Sequence, residues 1–179
     1  FRILKSMELL YKSVISKELK ELEKSLLSSI SSDIALATEI SNYLLLSGGK
    51  RLRPALCILV SKALEYDGED LIKLASSIEL LHTATLIHDD VVDESLFRRG
   101  KESIHSKWDN AHGVLVGDFV YSKAFQLMAS FKNPEIIRTL ADSTNRISEG
   151  EVLQLSLKSQ DLLENCLLYT SDAADERNS

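Results

Sequence analysis

Ile78-Glu79-Leu80-Leu81-His82-Thr83-Ala84-Thr85-Leu86-Ile87-His88-Asp89-Asp90-Val91-Val92-Asp93 is the stretch that decides how this chain folds. Its first ten residues read as a buried helical run, and its last five carry three carboxylates. Asp89 and Asp93 are four apart, so on a helix they share one face about a turn from each other. Like charges at that spacing repel by roughly 0.2–0.5 kcal/mol unless a cation lies between them. Hard oxygen donors with no Cys nearby favour Mg²⁺, which takes one or two carboxylates and completes its shell with water and phosphate oxygens. Arg98-Arg99-Gly100, just downstream, supplies two planar forks for phosphate. A merely solvated acidic helix end is the plain alternative. The apolar run before the acids, their place at the disfavoured C-terminal end of the helix dipole and a second phosphate-type motif upstream all weigh against it.

That second motif is Gly48-Gly49-Lys50-Arg51-Leu52-Arg53-Pro54, between two expected helices. The glycines permit a turn and close ligand approach, and Pro54 opens a helix whose N–H groups attract anions. Lys50 offers a point charge and Arg53 a fork, both suited to a diphosphate. The motif lacks the spacing of a nucleotide-binding P-loop and follows no strand; an ordinary Gly helix cap with a solvated basic turn is the alternative. His82 lies seven residues before Asp89, two turns back on the same face, in position to donate a hydrogen bond to a second diphosphate. His88 points to another side and reads as structural, while His105 and His112 make no recognisable zinc set with the acids.

Outward from these motifs the pattern is helical. Leu9, Leu10, Val14, Ile15, Leu19, Leu22, Leu26 and Leu27 recur at three- and four-residue spacing across 7–30. Ser32 or Asp33 is expected to cap a helix over about 33–46, with others near 54–66, 69–93, 113–132 and 134–160 and a loop over 94–112. No segment alternates as a half-buried strand should, so the expected fold is an all-α bundle. The 179 residues are 44% hydrophobic and 27% charged, which suits one globular domain. A net charge of −6 argues against nucleic acid as the main partner, and the basic residues cluster instead in the two motifs. No apolar run approaches the ~20 residues of a membrane span, so no membrane anchor is expected. Cys57 reads as a buried thiol, and with Cys166 as its only companion there is no disulfide framework; a reducing cytoplasmic setting follows.

Both ends read as foreign to the domain. Phe1–Ser6 precede Met7, a plausible native start, and Cys166–Glu176 resembles the translation of a transposon-type sequencing-library adapter. The domain is therefore expected over 7–165, with 166–179 an appended tail.

The two motifs, together with Val116-Gly117-Asp118-Phe119 and Glu149-Gly150-Glu151-Val152-Leu153-Gln154-Leu155, resemble trans-prenyltransferases (polyprenyl diphosphate synthases) in order and register over about 45–155. Within that family the likeness is greatest to the bacterial octaprenyl-forming branch. The resemblance implies an isoprenoid-synthase-type helical bundle, of which this chain holds the N-terminal half. It implies that Asp89 and Asp93 hold Mg²⁺ on the diphosphate of an allylic substrate such as farnesyl diphosphate, that Asp90 supports them, and that Arg98 contacts the same diphosphate. Lys50, Arg53, His82 and Arg99 would bind isopentenyl diphosphate. The product would be a long all-trans polyprenyl diphosphate, octaprenyl, for a quinone side chain. Ala84, with Leu81 and Ile78 beyond it, would leave a tunnel open for the growing tail. A homodimer is also implied.

The family's second aspartate-rich motif and a lysine-bearing segment are missing, and Asp172 and Asp175 of the tail do not replace them. The chain by itself is therefore expected to be inactive, with apolar surface exposed. A non-catalytic subunit of a heteromeric synthase is the first rival, although such subunits usually lose the acids kept here. A terpene cyclase is the second, although it needs no second diphosphate site. A plain helical scaffold would need neither motif.

Overall fold

The computed structural model describes residues 10–66 and 68–158. The expectations for residues 1–6, Cys166 and the 166–179 tail lie outside the described residues. Two compact units divide at Phe131. The first contains α1 (Ser16–Ser29), α2 (Ala35–Leu45), α3 (Leu52–Ala63), α4 (Leu71–Val92), β1 (Phe97–Arg98), β2 (Lys101–Glu102), α5 (Ile104–Lys107) and α6 (Asn110–Met128). The second contains α7 (Pro134–Lys158). The expected all-α class holds.

The Ile78–Asp93 run forms the last four turns of the central helix. Ala75, Leu80, Ala84 and Ile87 of α4 are buried, and so are its polar Ser76, Ser77 and Glu79. A helix apolar around most of its circumference has neighbours on several sides. Here α6 is the most extensive, followed by α3 and α1. Both buried serines have partners: Ser76 Oγ donates to the Ile72 carbonyl at 2.7 Å and meets Ser25 Oγ of α1 at 2.8 Å, and Ser77 Oγ donates to the Lys73 carbonyl at 2.9 Å. Leu22 and Leu26 of α1, Ile40 and Leu44 of α2, Ile58 of α3 and Val120 of α6 complete the core.

Several boundaries differ from the sequence expectation. The first helix is interrupted at Ile15, where φ −115° and ψ 26° leave helical values while the side chain buries completely. Leu10 and Val14 before it are exposed. Helix α2 has Ile34 at its N-cap with no side-chain cap bond. Ser32 Oγ accepts from the Ile34 N–H, and Thr38 Oγ1 accepts from the Ser32 N–H, so the expected capping residues make a local turn instead. Helix α3 begins two residues early and places Pro54 in its first turn, where a missing N–H costs nothing.

The expected 94–112 loop is largely structured. Two-residue strands pair antiparallel, Phe97 with Glu102 and Arg98 with Lys101. Arg99 (φ 52°) and Gly100 (φ 75°) form the two-residue turn between them, the doubly positive conformation that matches strand twist. Helix α5 follows, its Ser103 cap accepting from the Ser106 N–H, and α6 begins at Asn110 with Asp109 Oδ1 accepting from the His112 N–H at 2.7 Å. These strands are too short for alternation to register.

Apolar surface remains exposed along α3, where Leu52, Leu56 and Val60 recur every four residues, followed by Leu64 at its C-terminal cap. No helix among the described residues is long and apolar enough to cross a membrane.

Candidate active site

The turn between α2 and α3 is built by Gly48 at φ 87° and Arg51 at φ 51°. Left-handed backbone at a long side chain is uncommon and persists where surrounding contacts hold it. Arg51 is held on three sides. Its Nε donates to Glu23 Oε1 at 2.8 Å, Nη1 to Glu79 Oε1 at 2.8 Å, and Nη2 to the Leu45 carbonyl at 2.9 Å. Burial opposes its charge, but the two carboxylates outweigh that and push its pKa up. Tyr11 fixes the preceding residue by donating its hydroxyl hydrogen to the Lys50 carbonyl at 2.8 Å.

The remaining basic residues converge on this turn. Arg53 Nη1 lies 3.1 Å from His82 Nε2 of α4. A guanidinium only donates, so His82 accepts at Nε2 and carries its proton on Nδ1. Arg99, at the hairpin turn, donates from Nη1 to the Gly48 carbonyl. A Cβ on Gly49 would come within 2.6 Å of that same Nη1, so the glycine makes room for the arginine. Lys50, Arg53, His82 and Arg99, distant in sequence, thus belong to one locality.

The three aspartates divide. The Asp93 N–H donates to the Asp89 carbonyl at 2.8 Å, continuing the α4 ladder through the last turn. Asp89 is half-buried and Asp93 exposed on that turn. Asp90 turns inward and is 1% exposed, its Oδ1 accepting from Arg98 Nε at 2.7 Å. Burial pushes the Asp90 pKa up against the opposing pull of Arg98. Among the described residues no group of three or more His, Cys, Asp or Glu gathers as a metal site. Asp89 and Asp93 offer two hard oxygen ligands on one face, which fits an ion that keeps most of its shell for water and phosphate.

His88 makes the structural contact expected of it. Its Nε2 is 3.2 Å from the Val114 carbonyl and 3.4 Å from Asp118 Oδ1 on α6. Gly117 is opposite, where any Cβ would collide with the imidazole. Ala84 is fully buried and Leu81 nearly so, one and two turns before the acids. Cys57 is half-buried, and burial raises its thiol pKa. In the second unit, Glu149 of α7 accepts from Asn145 Nδ2 at 2.9 Å.

Two supports were not foreseen from sequence. Arg51 lies inside a basic motif but faces carboxylates 28 residues away in each direction. The hairpin is braced by Tyr43, which donates to the Glu102 carbonyl at 3.0 Å and meets the Trp108 ring edge-on at 5.2 Å, with Lys107 Nζ 4.0 Å from its centroid.

A basic cluster and an acidic helix turn on an all-α bundle point to a class, and comparison with known proteins defines it. Residues 34–171 match the sequence profile of the polyprenyl synthetase family, and the chain belongs to that family. It is 41% identical over 140 residues to the octaprenyl diphosphate synthase of Escherichia coli strain K12, covering 78% of this chain and 43% of that protein. It is also 41% identical over 147 residues to an all-trans-nonaprenyl-diphosphate synthase (geranyl-diphosphate specific) of Rhodobacter capsulatus, covering 82% and 45%. The crystal structure of a decaprenyl diphosphate synthase from Rhodobacter capsulatus superposes with a TM-score of 0.80 at 38% identity, covering 83% of this chain and 46% of that one. The fold is therefore the isoprenoid-synthase helical bundle, truncated relative to full-length members. The chain spans less than half the length of these relatives.

Proposed function

We propose that this chain, over residues 7–165, is the N-terminal part of a trans-prenyltransferase that lengthens an allylic diphosphate with isopentenyl diphosphate. The observation that carries the reading is the approach of Arg53 to His82 beside the Arg99–Gly48 contact. It gathers diphosphate donors from three separate segments, one of them the helix that bears the acids, about two turns before those acids.

In this reading Lys50, Arg53, His82 and Arg99 bind the diphosphate of isopentenyl diphosphate and hold its double bond toward the allylic carbon. Arg98, fixed at Nε by Asp90, presents its other donors to the allylic diphosphate. Asp89 and Asp93 are the ligands for Mg²⁺, with Asp90 in support. When bound, the metal supplies Lewis-acid assistance to departure of the diphosphate. The residues contribute mainly orientation and charge placement. Attack by the isopentenyl double bond forms a C–C bond, the allylic C–O bond breaks, and loss of a proton leaves a linear product five carbons longer.

Repeated cycles would give a long all-trans chain, octaprenyl being the length favoured by the likeness to the Escherichia coli enzyme. Ala84 and Leu81 would line the start of the tunnel that receives it. The full protein would be a cytoplasmic homodimer, and this chain alone would be inactive. The alternative, a non-catalytic subunit of a heteromeric synthase, is disfavoured because Asp89, Asp93 and the basic cluster are all retained. Incubating the longer protein with Mg²⁺, farnesyl diphosphate and labelled isopentenyl diphosphate tests the reading. Linear products lost with EDTA support it; well-folded protein that makes cyclic products or none contradicts it.

A further inference from the structure

We propose that Arg51 is the positioning residue of the diphosphate site, holding Lys50 and Arg53 in place through a bridge between Glu23 of α1 and Glu79 of α4. The proposal rests on the diphosphate reading above and adds what sets that site's geometry.

Arg51 stands in the middle of Lys50-Arg51-Leu52-Arg53, where a third phosphate ligand would be the simplest expectation. Its donors are otherwise engaged. It makes four hydrogen bonds, two to Glu23, one to Glu79 and one to the Leu45 carbonyl, out of the five N–H groups of a guanidinium. Its side chain is 10% exposed and that of Glu79 is 6% exposed. Arg51 has left-handed backbone and its side chain turns inward, whereas Lys50 before it is exposed and Arg53 reaches His82. Glu79 lies three residues before His82, so one face of α4 supplies both the anchor for Arg51 and the partner for Arg53. A loosened Arg51 shifts Lys50 and Arg53 relative to His82 without touching any of them.

The test is calorimetric binding of inorganic pyrophosphate, without Mg²⁺, to the longer protein, with melting temperatures taken in parallel. Glu23→Gln is the decisive variant, because Glu23 is partly exposed and its substitution is expected to leave the fold intact. Removing a negative charge near an anion site should tighten binding if only charge matters. Positioning predicts about threefold weaker binding, since partners that orient ligating groups carry much of a site's affinity. Arg51→Lys, which keeps the charge but cannot span both carboxylates, should weaken binding about tenfold. Folded Glu23→Gln and Arg51→Lys proteins that bind as tightly as wild type, or more tightly, would overturn the assignment of Arg51 alone. If Arg51→Lys does not fold, Glu23→Gln decides. Absence of binding by the wild-type longer protein would overturn the diphosphate reading and this proposal with it.

Discussion

Asp89, Asp90 and Asp93 share a residue type and a helical turn but have opposite surroundings. Asp90 is buried against Arg98, whereas Asp93 is exposed. Asp90→Asn should therefore lower stability by about 2 kcal/mol, the range for losing a buried hydrogen bond to a charged group. Asp93→Asn should leave the urea midpoint unchanged or slightly raised, because it relieves carboxylate repulsion. Urea titrations of both variants check the contrast. Helical periodicity already separates Asp90 from Asp89 and Asp93. The partner that turns Asp90 inward was not legible, because Arg98 returns to it only past the end of the helix, where Glu94 has φ 52°. Arg51 was opaque for a similar reason: its neighbours in sequence are basic, and its partners are 28 residues away.

Elements were legible in kind and blurred at their ends. Six long helices fall where apolar spacing puts them, because that period survives local detail. The hairpin was missed, since two strand residues on each side leave no period to read. Its turn depends on Gly100 at φ 75°, so Gly100→Ala should cost about 1 kcal/mol and weaken diphosphate binding by displacing Arg99. Paired melting and pyrophosphate-binding measurements would show both effects. Between α1 and α3, Lys62 Nζ lies 2.6 Å from Glu18 Oε1. The Lys62 hydrogen bond lowers the Glu18 pKa against the opposing effect of burial. A lowered folded-state pKa adds stability above the unfolded value, and that stability disappears as pH falls through the folded one. Glu18→Gln should thus cost roughly 0.2–1 kcal/mol at pH 7. The difference from wild type should vanish in strongly acidic solution, as thermal melts across pH would reveal.

At the scale of the molecule, α4 connects the two halves of the chemistry. Its buried face contains Ala84 and Leu81, and its C-terminal turn carries the acids. If the growing chain runs beside this helix, Ala84→Phe in the longer protein should shorten the products, read by chromatography of the dephosphorylated alcohols. An unchanged length distribution would remove Ala84 from that role. Family, fold class and the grouping of the basic motifs were recoverable from sequence because several short motifs recur in fixed order. Overall likeness does not fix product length, since relatives of equal identity carry octaprenyl and nonaprenyl names.

The most direct measurement is the elongation rate of the longer protein with Asp89→Ala, using farnesyl diphosphate, labelled isopentenyl diphosphate and saturating Mg²⁺. A loss on the order of 10³-fold with the melting temperature preserved is expected, because the variant removes a proposed ligand of the Mg²⁺ that would stabilise the departing diphosphate and not a core contact. Wild-type elongation by a folded Asp89→Ala protein would contradict it.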